Sequence, residues 1–116
     1  MMKKNTLSTL IALTAFTAAG LISTSAYAVD AAAAESMVRQ NGCFKCHSVT
    51  KKKEGPAYHD VAEKYRGKPE AEQRLITHIT SGEKAKFDDG HEEEHKIIKT
   101  KDPAELKNVV DWILSL

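Results

Sequence analysis

The sequence predicts an all-α protein. Three segments carry clear helix signals, and no segment shows the apolar and polar alternation typical of a β-strand. The chain of 116 residues is long enough for one domain. Helix signals lie at both ends of residues 29–116, with an irregular middle between them. We therefore expect the first and last helices to pack against each other.

The first 28 residues have the pattern of a secretory signal peptide. Lys3 and Lys4 form a basic start, residues 7–22 are apolar, and Ala26-Tyr27-Ala28 offers the small residues that signal peptidase accepts. An uncleaved membrane anchor is the alternative, but the apolar stretch is short and contains several Thr and Ser residues. We expect cleavage after Ala28 and a mature domain of residues 29–116.

Net charge excludes one class of function. Of the 17 Lys and Arg residues, two lie in the leader, which leaves 15 against 16 Asp and Glu and a net charge of −1. Such a chain has no basic excess for binding nucleic acid. Two runs of like charge, Lys51–Lys53 and Glu92–Glu94, are of a kind that most often forms solvated surface.

The first helix is predicted from the Ala-rich segment after Asp30, which can cap it, and it should end at Gly42. Its apolar positions Ala33, Met37 and Val38 follow helical spacing. Residues 58–67 predict a short helix with an inner side of Val61, Ala62 and Tyr65. Residues 69–82 predict a longer helix, begun by Pro69 and ended by Gly82, with an inner face of Leu75, Ile76 and Ile79.

The last helix has the clearest signals. Asp102 is its expected N-cap and Pro103 its first residue. Apolar residues then recur at three- and four-residue spacing, namely Leu106, Val109, Val110, Ile113 and Leu114, with Trp112 beside them. The segment before this helix, residues 83–101, is too long and too polar for a simple turn, so we expect it to have a task of its own.

The only two cysteines, Cys43 and Cys46, are two residues apart in the chain and are followed directly by His47. A disulfide between them would close a very small loop, so its entropic gain would be limited. A thioredoxin-like site needs a preceding strand and a βαβ unit, which the sequence does not predict. A zinc site needs four ligands, and these three residues leave one to find.

The spacing Cys-x-x-Cys-His is also that of a c-type haem attachment site. Cys43 and Cys46 would add across the two haem vinyl groups as thioethers, and His47 would bring its imidazole beneath the iron as the proximal ligand. Covalent attachment suits an exported chain, and a small core with few aromatic residues would gain from an apolar filler. We predict one covalently bound haem c.

From Asn41 to Leu116 the sequence resembles the small bacterial class I cytochromes c. The residues that carry this resemblance are NGCFKCHSV (41–49), GPAYHDVAEKYRG (55–67), LITHITSG (75–82) and LKNVVDWILSL (106–116). The resemblance implies the class I cytochrome c fold for residues 29–116, with helices packed around one haem. It implies a periplasmic electron carrier and not an enzyme. Such a carrier would meet redox proteins through weak, transient contacts. The two charged runs could steer these encounters.

The resemblance also implies roles for single residues. Pro56 would lie on the proximal side, where a nearby carbonyl would hold the Nδ1–H of His47 and so fix its tautomer. Gly42 would let the first helix approach the last one, and Trp112 would pack near the haem. Tyr58 would either belong to the core or donate a hydrogen bond to a haem propionate.

The sequence departs from this family at the second axial ligand, which is usually a methionine in the loop before the last helix. The only methionine of the mature chain, Met37, precedes the cysteines. The loop offers His91 and His95 instead. Counting back from the cap of the last helix places the missing methionine within about one residue of His95, whereas counting forward from Gly82 leads to His91. We predict His95 as the distal iron ligand, with His91 as the fallback.

Two isoleucines, Ile97 and Ile98, follow His95 and are expected to seal the haem edge from water. His59 and His78 are expected on the surface.

The coordination of the iron decides between the candidate functions. If both axial positions are filled, we expect an electron carrier. If neither loop histidine reaches the iron, the alternative is a haem protein that binds or senses a small ligand such as NO or CO. A peroxidase-like enzyme would need an open iron and distal acid–base groups.

Overall fold

A computed structural model describes residues 20–21 and 27–116. The predicted signal peptide, apart from residues 20–21 and 27–28, lies outside the described residues. Within them the chain forms four helices, α1 (Ala31–Gln40), α2 (Tyr58–Tyr65), α3 (Ala71–Thr80) and α4 (Pro103–Ser115), together with a 3-10 turn (Cys43–Lys45) and two short strands, β1 (Lys84–Lys86) and β2 (Glu92–Glu94). The predicted all-α class is confirmed in its main features. None of the described helices is long and apolar enough to cross a membrane.

The ends of α1 and α4 follow the predicted caps. The Asp30 carboxylate accepts a hydrogen bond from the Ala33 N–H at 3.0 Å, and that of Asp102 accepts one from the Ala104 N–H at 2.9 Å. Pro103 occupies the first turn of α4, where the N–H that it lacks would have had no partner. Each cap of this kind typically contributes about 1 kcal/mol to stability.

The core forms where α1, α2 and α3 pack against α4. From α4 it takes Val109, Val110, Trp112 and Ile113, all at most 5% exposed. The expected pairing of α1 with α4 is present. One position of α1 was predicted wrongly, because Ala34 and not Ala33 is buried. Ala34 lies one helical turn before Val38, so this pair forms the ridge that faces α4.

A buried polar side chain joins the start of α1 to the middle of α4. Asn108 is 6% exposed. Its Oδ1 accepts a hydrogen bond from the Asp30 N–H at 2.9 Å, and its Nδ2 donates to the Asp30 carbonyl at 2.9 Å. Since both halves of the amide are paired, burial leaves no unsatisfied group. The reciprocal pair ties the start of α1 to α4.

The loop before α4 contains a β-ribbon that the sequence pattern did not reveal. Strands β1 and β2 are antiparallel, with Lys84 opposite Glu94 and Lys86 opposite Glu92. Opposite charges at facing positions stabilise such a pair. The turn between the strands uses Gly90 with a φ of 91°, a left-handed conformation that favours glycine. Each strand has only three residues, which is too short for an alternating pattern to stand out.

After β2 the chain runs back along the end of α3. The His95 N–H donates to the Glu83 carbonyl at 3.0 Å, and the Ile98 N–H donates to the Ile79 carbonyl at 2.8 Å. Ile98 is 4% exposed, whereas Ile97 is 40% exposed. Of the two isoleucines expected to seal the haem edge from water, only Ile98 is buried and lines the cavity. The backbone bonds of this segment turn Ile97 outward.

Candidate functional site

The 3-10 turn places the two cysteines and the histidine on one wall. The N–H groups of Cys46 and His47 both donate to the Cys43 carbonyl, at 3.2 and 3.0 Å. The chain therefore curls tightly enough for all three side chains to line a single cavity. No disulfide joins Cys43 to Cys46.

Gly42 permits the sharp exit from α1 into this turn. Its φ of 74° lies in the left-handed region, which glycine adopts without the steric cost of a Cβ. A Cβ built at Gly42 would meet the side chains of Lys45 and Lys96 at 3.8 Å. The implied role of Gly42 in a close approach of α1 to α4 is therefore wrong, because its neighbours are lysine stems from the turn and from the segment after β2.

The cavity has a volume of about 530 Å³. This lies within the range of about 300–1,000 Å³ that is typical of cofactor and ligand sites. Its walls come from all four helices, the 3-10 turn and the ribbon. The apolar part of the lining includes Val38, Leu75, Ile79, Ile98, Val109 and Ile113. The core is thus built around a space rather than filled by its own side chains.

The ring of His47 is held from two sides. Its Nδ1 lies 2.7 Å from the Pro56 carbonyl oxygen, so the hydrogen bond implied for this histidine is present. A carbonyl can only accept, so Nδ1 carries the proton and Nε2 keeps its lone pair. The ring of Tyr58 stacks against the imidazole, with 5.1 Å between ring centres, and Trp112 meets Tyr58 edge-on at 5.8 Å. His47 is therefore fixed in position and tautomer.

Gly55 is a site residue to which the sequence had not given a role. A Cβ built there would lie 2.6 Å from Cε1 and 2.9 Å from Nδ1 of the His47 ring, closer than real Cβ contacts. The imidazole thus occupies the space that any larger residue at this position would need. The signal that could have found it is the position of Gly55 directly before Pro56, whose carbonyl binds the same ring.

Replacing Gly55 with alanine should therefore displace the His47 imidazole. We expect the Gly55→Ala protein to incorporate several-fold less haem than the wild type, and its ferric absorption bands to shift. Gly67→Ala is the matched control, because the Cβ there meets nothing within 4 Å and costs only the strain of a φ of 80°. Haem content per polypeptide and absorption spectra measure both effects. A Gly55→Ala protein with wild-type haem content and spectrum would contradict this view of the site.

His95 faces His47 across the cavity. Their ring centres are 6.0 Å apart, with 60° between the ring planes. Imidazole nitrogens bind metal ions at about 2.0–2.1 Å, so two imidazoles on opposite sides of one ion have ring centres roughly 6 Å apart. The observed separation therefore matches that of two ligands sharing one metal ion.

The environment of His95 suits a neutral ligand. Its Nδ1 is buried and has no hydrogen-bond partner in the described part of the chain. Burial, together with the positive charge that His78 and His47 can carry, lowers the pKa of His95 to about 4. The imidazole is therefore neutral at neutral pH, and a buried polar atom without a partner is itself unusual.

His91 lies elsewhere. It is exposed at the tip of the ribbon, where its ring stacks on Phe87 at 4.3 Å. Its Nδ1 pairs with Asp89, and its Nε2 lies 3.3 Å from the Glu93 carboxylate. The carboxylate of Asp89, with that of Glu93, raises the pKa of His91. The structure thus brings His95, but not His91, to the wall opposite His47.

His78 was expected on the surface, but it is half-buried and lines the cavity. Its ring centre is 3.9 Å from that of His95. Its Nδ1 lies 2.5 Å from the Glu83 carboxylate, which also pairs with Arg74 at 2.7 Å. The side chain of Glu83 thus holds His78 while its carbonyl accepts from the backbone of His95. This arrangement joins the end of α3 to the segment after β2.

The remaining candidates divide between the cavity and the core. Tyr58 lines the cavity and is 5% exposed, so it is a core residue as well. Trp112 is not among the described residues that line the cavity; it is buried behind Tyr58 and supports it. Met37 does not line the described cavity either, and its sulfur lies 3.5 Å from the Asn41 amide. His59 is exposed, as expected.

The described residues fit a haem better than a bare metal ion. They contain no group of three or more His, Cys, Asp or Glu side chains arranged to hold a metal ion. A structural zinc site needs four protein ligands. A haem needs only axial ligands, because the porphyrin supplies the others. The apolar cavity, the paired thiols, the space that Gly55 leaves for His47 and the unpartnered Nδ1 of His95 all suit a porphyrin.

Comparison with known proteins defines the class. The profile of the cytochrome c family matches residues 31–116. Cytochrome c-552 of Hydrogenobacter thermophilus is 35% identical over 82 residues, which cover 71% of this chain and 80% of that protein. Cytochrome c-551 of Pseudomonas denitrificans is 32% identical over 82 residues, which cover 71% of this chain and 95% of that protein.

Solved structures agree with these relatives. The class 1 cytochrome MtoD of Sideroxydans lithotrophicus ES-1 is 66% identical, with a TM-score of 0.72, over 76% of this chain and 97% of that one. Cytochrome c552 of Nitrosomonas europaea is 30% identical, with a TM-score of 0.57, over 71% of this chain and 98% of that one. The chain belongs to the cytochrome c family, as a small class I monohaem cytochrome with one covalently bound haem c, and it is an electron carrier.

Proposed function

We propose that this protein is a periplasmic electron carrier whose haem iron is bound between His47 and His95. The observation that carries this proposal is the pair of facing imidazoles, 6.0 Å apart between ring centres. The thiols of Cys43 and Cys46 would hold the haem as thioethers on the same wall as His47. The leader with its basic start, apolar middle and Ala-Tyr-Ala end supports export.

When bound, the haem supplies a one-electron couple between ferric and ferrous iron. The chain contributes rigidity around it. His47 is held by the Pro56 carbonyl and by Tyr58, and the backbone of His95 is held by Glu83. Ligands fixed in this way need not move when the charge of the iron changes. The apolar lining would limit the access of water to the haem, and with His47 and His95 both bound to the iron no substrate would reach it.

The contrast between the two loop histidines supports His95. Coordination needs a neutral imidazole with a free lone pair. His95 meets this need because it is half-buried and its pKa is lowered, mainly by burial. His91 is exposed between two carboxylates that raise its pKa, so the protonated form is favoured there. The chain would also have to refold its ribbon to bring His91 to the cavity.

Spectroscopy and voltammetry test this function. We expect low-spin absorption bands in both oxidation states, and a reduction potential below that of methionine-ligated cytochromes of similar size. Imidazole donates more strongly than a thioether, so it stabilises ferric iron, whereas methionine ligation raises the potential. Protein-film voltammetry measures the potential. A value equal to or above that of the methionine-ligated proteins would count against two histidine ligands. High-spin bands would indicate an open iron and a ligand-binding protein.

A further inference from the structure

The β-ribbon lies at the mouth of the cavity. Its residues Lys86, Glu93 and Glu94 line the cavity although all three are exposed to solvent, so they lie at its opening. Glu54, from the segment after the cysteines, is likewise exposed and lines the cavity. The ribbon and that segment therefore form two parts of the same rim.

An ion pair joins these two parts of the rim. The Lys52 ammonium, in the segment that follows His47, lies 2.6 Å from the carboxylate of Asp88 in the turn of the ribbon. At its base, the ribbon is held by the hydrogen bond from the His95 N–H to the Glu83 carbonyl. The ribbon is thus attached at its base to the side of His95 and at its tip to the side of His47.

The tip of the ribbon contains an aromatic stack. The ring of His91 lies on that of Phe87, with 4.3 Å between ring centres and 11° between ring planes. Phe87 is half-buried and lines the cavity. Its N–H donates to the His91 carbonyl at 2.9 Å, and its carbonyl accepts from the Gly90 N–H at 2.9 Å. The imidazole therefore backs a side chain that forms part of the cavity wall.

Two carboxylates hold this imidazole. Nδ1 of His91 pairs with Asp89, which also accepts the His91 N–H at 3.0 Å, and Nε2 lies 3.3 Å from the Glu93 carboxylate. A neutral imidazole carries a proton on one nitrogen only, whereas the charged ring donates from both. The arrangement is therefore complete only when His91 is protonated.

The pKa values of this cluster move in the direction that the geometry requires. The hydrogen bond to Asp89, with the charges of Asp89 and Glu93, raises the pKa of His91, and the hydrogen bonds from His91 lower the pKa of Asp89. A histidine whose pKa is raised by folding stabilises the structure fully at lower pH, and this stabilisation is lost as pH rises through the raised pKa. The cluster is therefore strongest between the lowered pKa of Asp89 and the raised pKa of His91.

The other charges of the rim have partners of their own. The ribbon and the segment that faces it also carry Lys52, Lys53, Glu54, Lys84, Lys86, Asp88, Glu92 and Glu94. The strand charges face each other in opposite pairs, Lys52 pairs with Asp88, and the Lys53 ammonium donates to the Phe44 carbonyl at 2.6 Å. Among the described ion pairs, those of His91 involve Asp89 and Glu93 alone. Histidine is the side chain that changes its charge near neutral pH.

We propose that the ribbon is a pH-sensitive strap across the mouth of the cavity, fastened by Lys52 and Asp88 and stiffened by protonated His91. Loss of the proton releases one of the two carboxylates, weakens the support behind Phe87 and lets the tip open more often. The strap would limit the access of water and small ligands to the cavity more strictly in acid than in alkali. This device is additional to the proposed electron transfer and requires a bound haem, whichever residue is its sixth ligand.

Amide hydrogen exchange of the haem-loaded ferrous protein tests the stiffening. NMR gives the protection factors of the Phe87 and Gly90 N–H groups, which are corrected for the intrinsic effect of pH. Because exposed ion pairs are weak, we expect wild-type protection to be about threefold lower at about pH 8 than at about pH 5.5. His91→Phe keeps a ring to stack on Phe87 but carries no charge, so its protection should not depend on pH. His59→Ala, at an exposed histidine outside the ribbon, should behave as the wild type.

Cyanide binding to the ferric protein tests the fastening. Asp88→Asn keeps the shape of the side chain and removes its charge. At one fixed pH we expect cyanide to bind about threefold faster to this variant than to the wild type, since the lost ion pair is an exposed one. Glu63→Gln is the matched control, because Glu63 is an exposed carboxylate that does not line the cavity. Its rate should equal that of the wild type.

Other outcomes would overturn the strap. Wild-type protection that is the same at both pH values, or a pH dependence that persists in His91→Phe, would show that His91 does not stiffen the tip. A lost pH dependence in His59→Ala as well would mean that the effect is not specific to the ribbon. An unchanged cyanide rate in Asp88→Asn would exclude the fastening. A high-spin ferric spectrum of the wild type would instead overturn the proposed pair of histidine ligands, and amide exchange would still decide about the strap.

Discussion

The Cys43→Ser/Cys46→Ser double variant, expressed in a host with haem-attachment machinery, should have the mass of the bare polypeptide under denaturing conditions. Serine has no thiol to add across a haem vinyl group, so no thioether can form. The wild type should carry the added mass of one haem. Lys45→Ala is the matched control: it changes the same turn, exposes no new polar group and leaves both thiols, so its haem should be retained.

The same double variant should be much less stable than the wild type. The cavity of about 530 Å³ is lined by core residues of all four helices. Without a covalently held group in the cavity, these residues lose apolar contacts. For comparison, removing one large side chain from a protein core typically costs about 2–5 kcal/mol of stability. We expect a midpoint of thermal unfolding well below that of the Lys45→Ala control, measured by circular dichroism. A double variant with covalently bound haem or with wild-type stability would contradict this prediction.

Features that depend on neighbours in the chain could be predicted from the sequence. The caps Asp30 and Asp102 act within a few residues of themselves, so their side chains and their targets are both visible in the pattern. The spacing of Cys43, Cys46 and His47 is equally local, because one 3-10 turn sets the geometry of all three. The resemblance to class I cytochromes c, and not the local pattern, predicted the hydrogen bond from His47 to a carbonyl near Pro56.

Features that depend on tertiary packing could not be predicted in this way. Gly55 matters because a ring eight residues earlier in the chain fills the space beside it, and no local pattern reports such a contact. His78 was predicted to be an exposed polar residue of α3, but the Glu83 carboxylate and the His95 ring lie against it. Counting back from the cap of the last helix led to His95, whereas counting forward from Gly82 led to His91. The two counts disagreed because part of the loop forms the β-ribbon, and the sequence does not show which residues belong to it.

Replacing His95 with alanine should remove the low-spin ferric species. The imidazole is one of two that face each other across the cavity, and alanine offers no donor atom in its place. We expect the low-spin fraction to fall from nearly all of the protein to a small minority in His95→Ala, while His91→Ala keeps the wild-type spectrum. The His91→Ala variant is the matched control, because it makes the same substitution at an exposed residue of the same loop.

Two further measurements separate ligation from a merely structural role of His95. Added imidazole should restore low-spin bands in His95→Ala, because it can occupy the position that the side chain has left; a misfolded site would not recover. His78→Ala should keep a low-spin iron, since His78 touches His95 but is held by Glu83. Loss of the low-spin species in His91→Ala alone would move the ligand to His91. Unchanged spectra in both loop variants would rule out either histidine, and the iron would then need another sixth ligand or none.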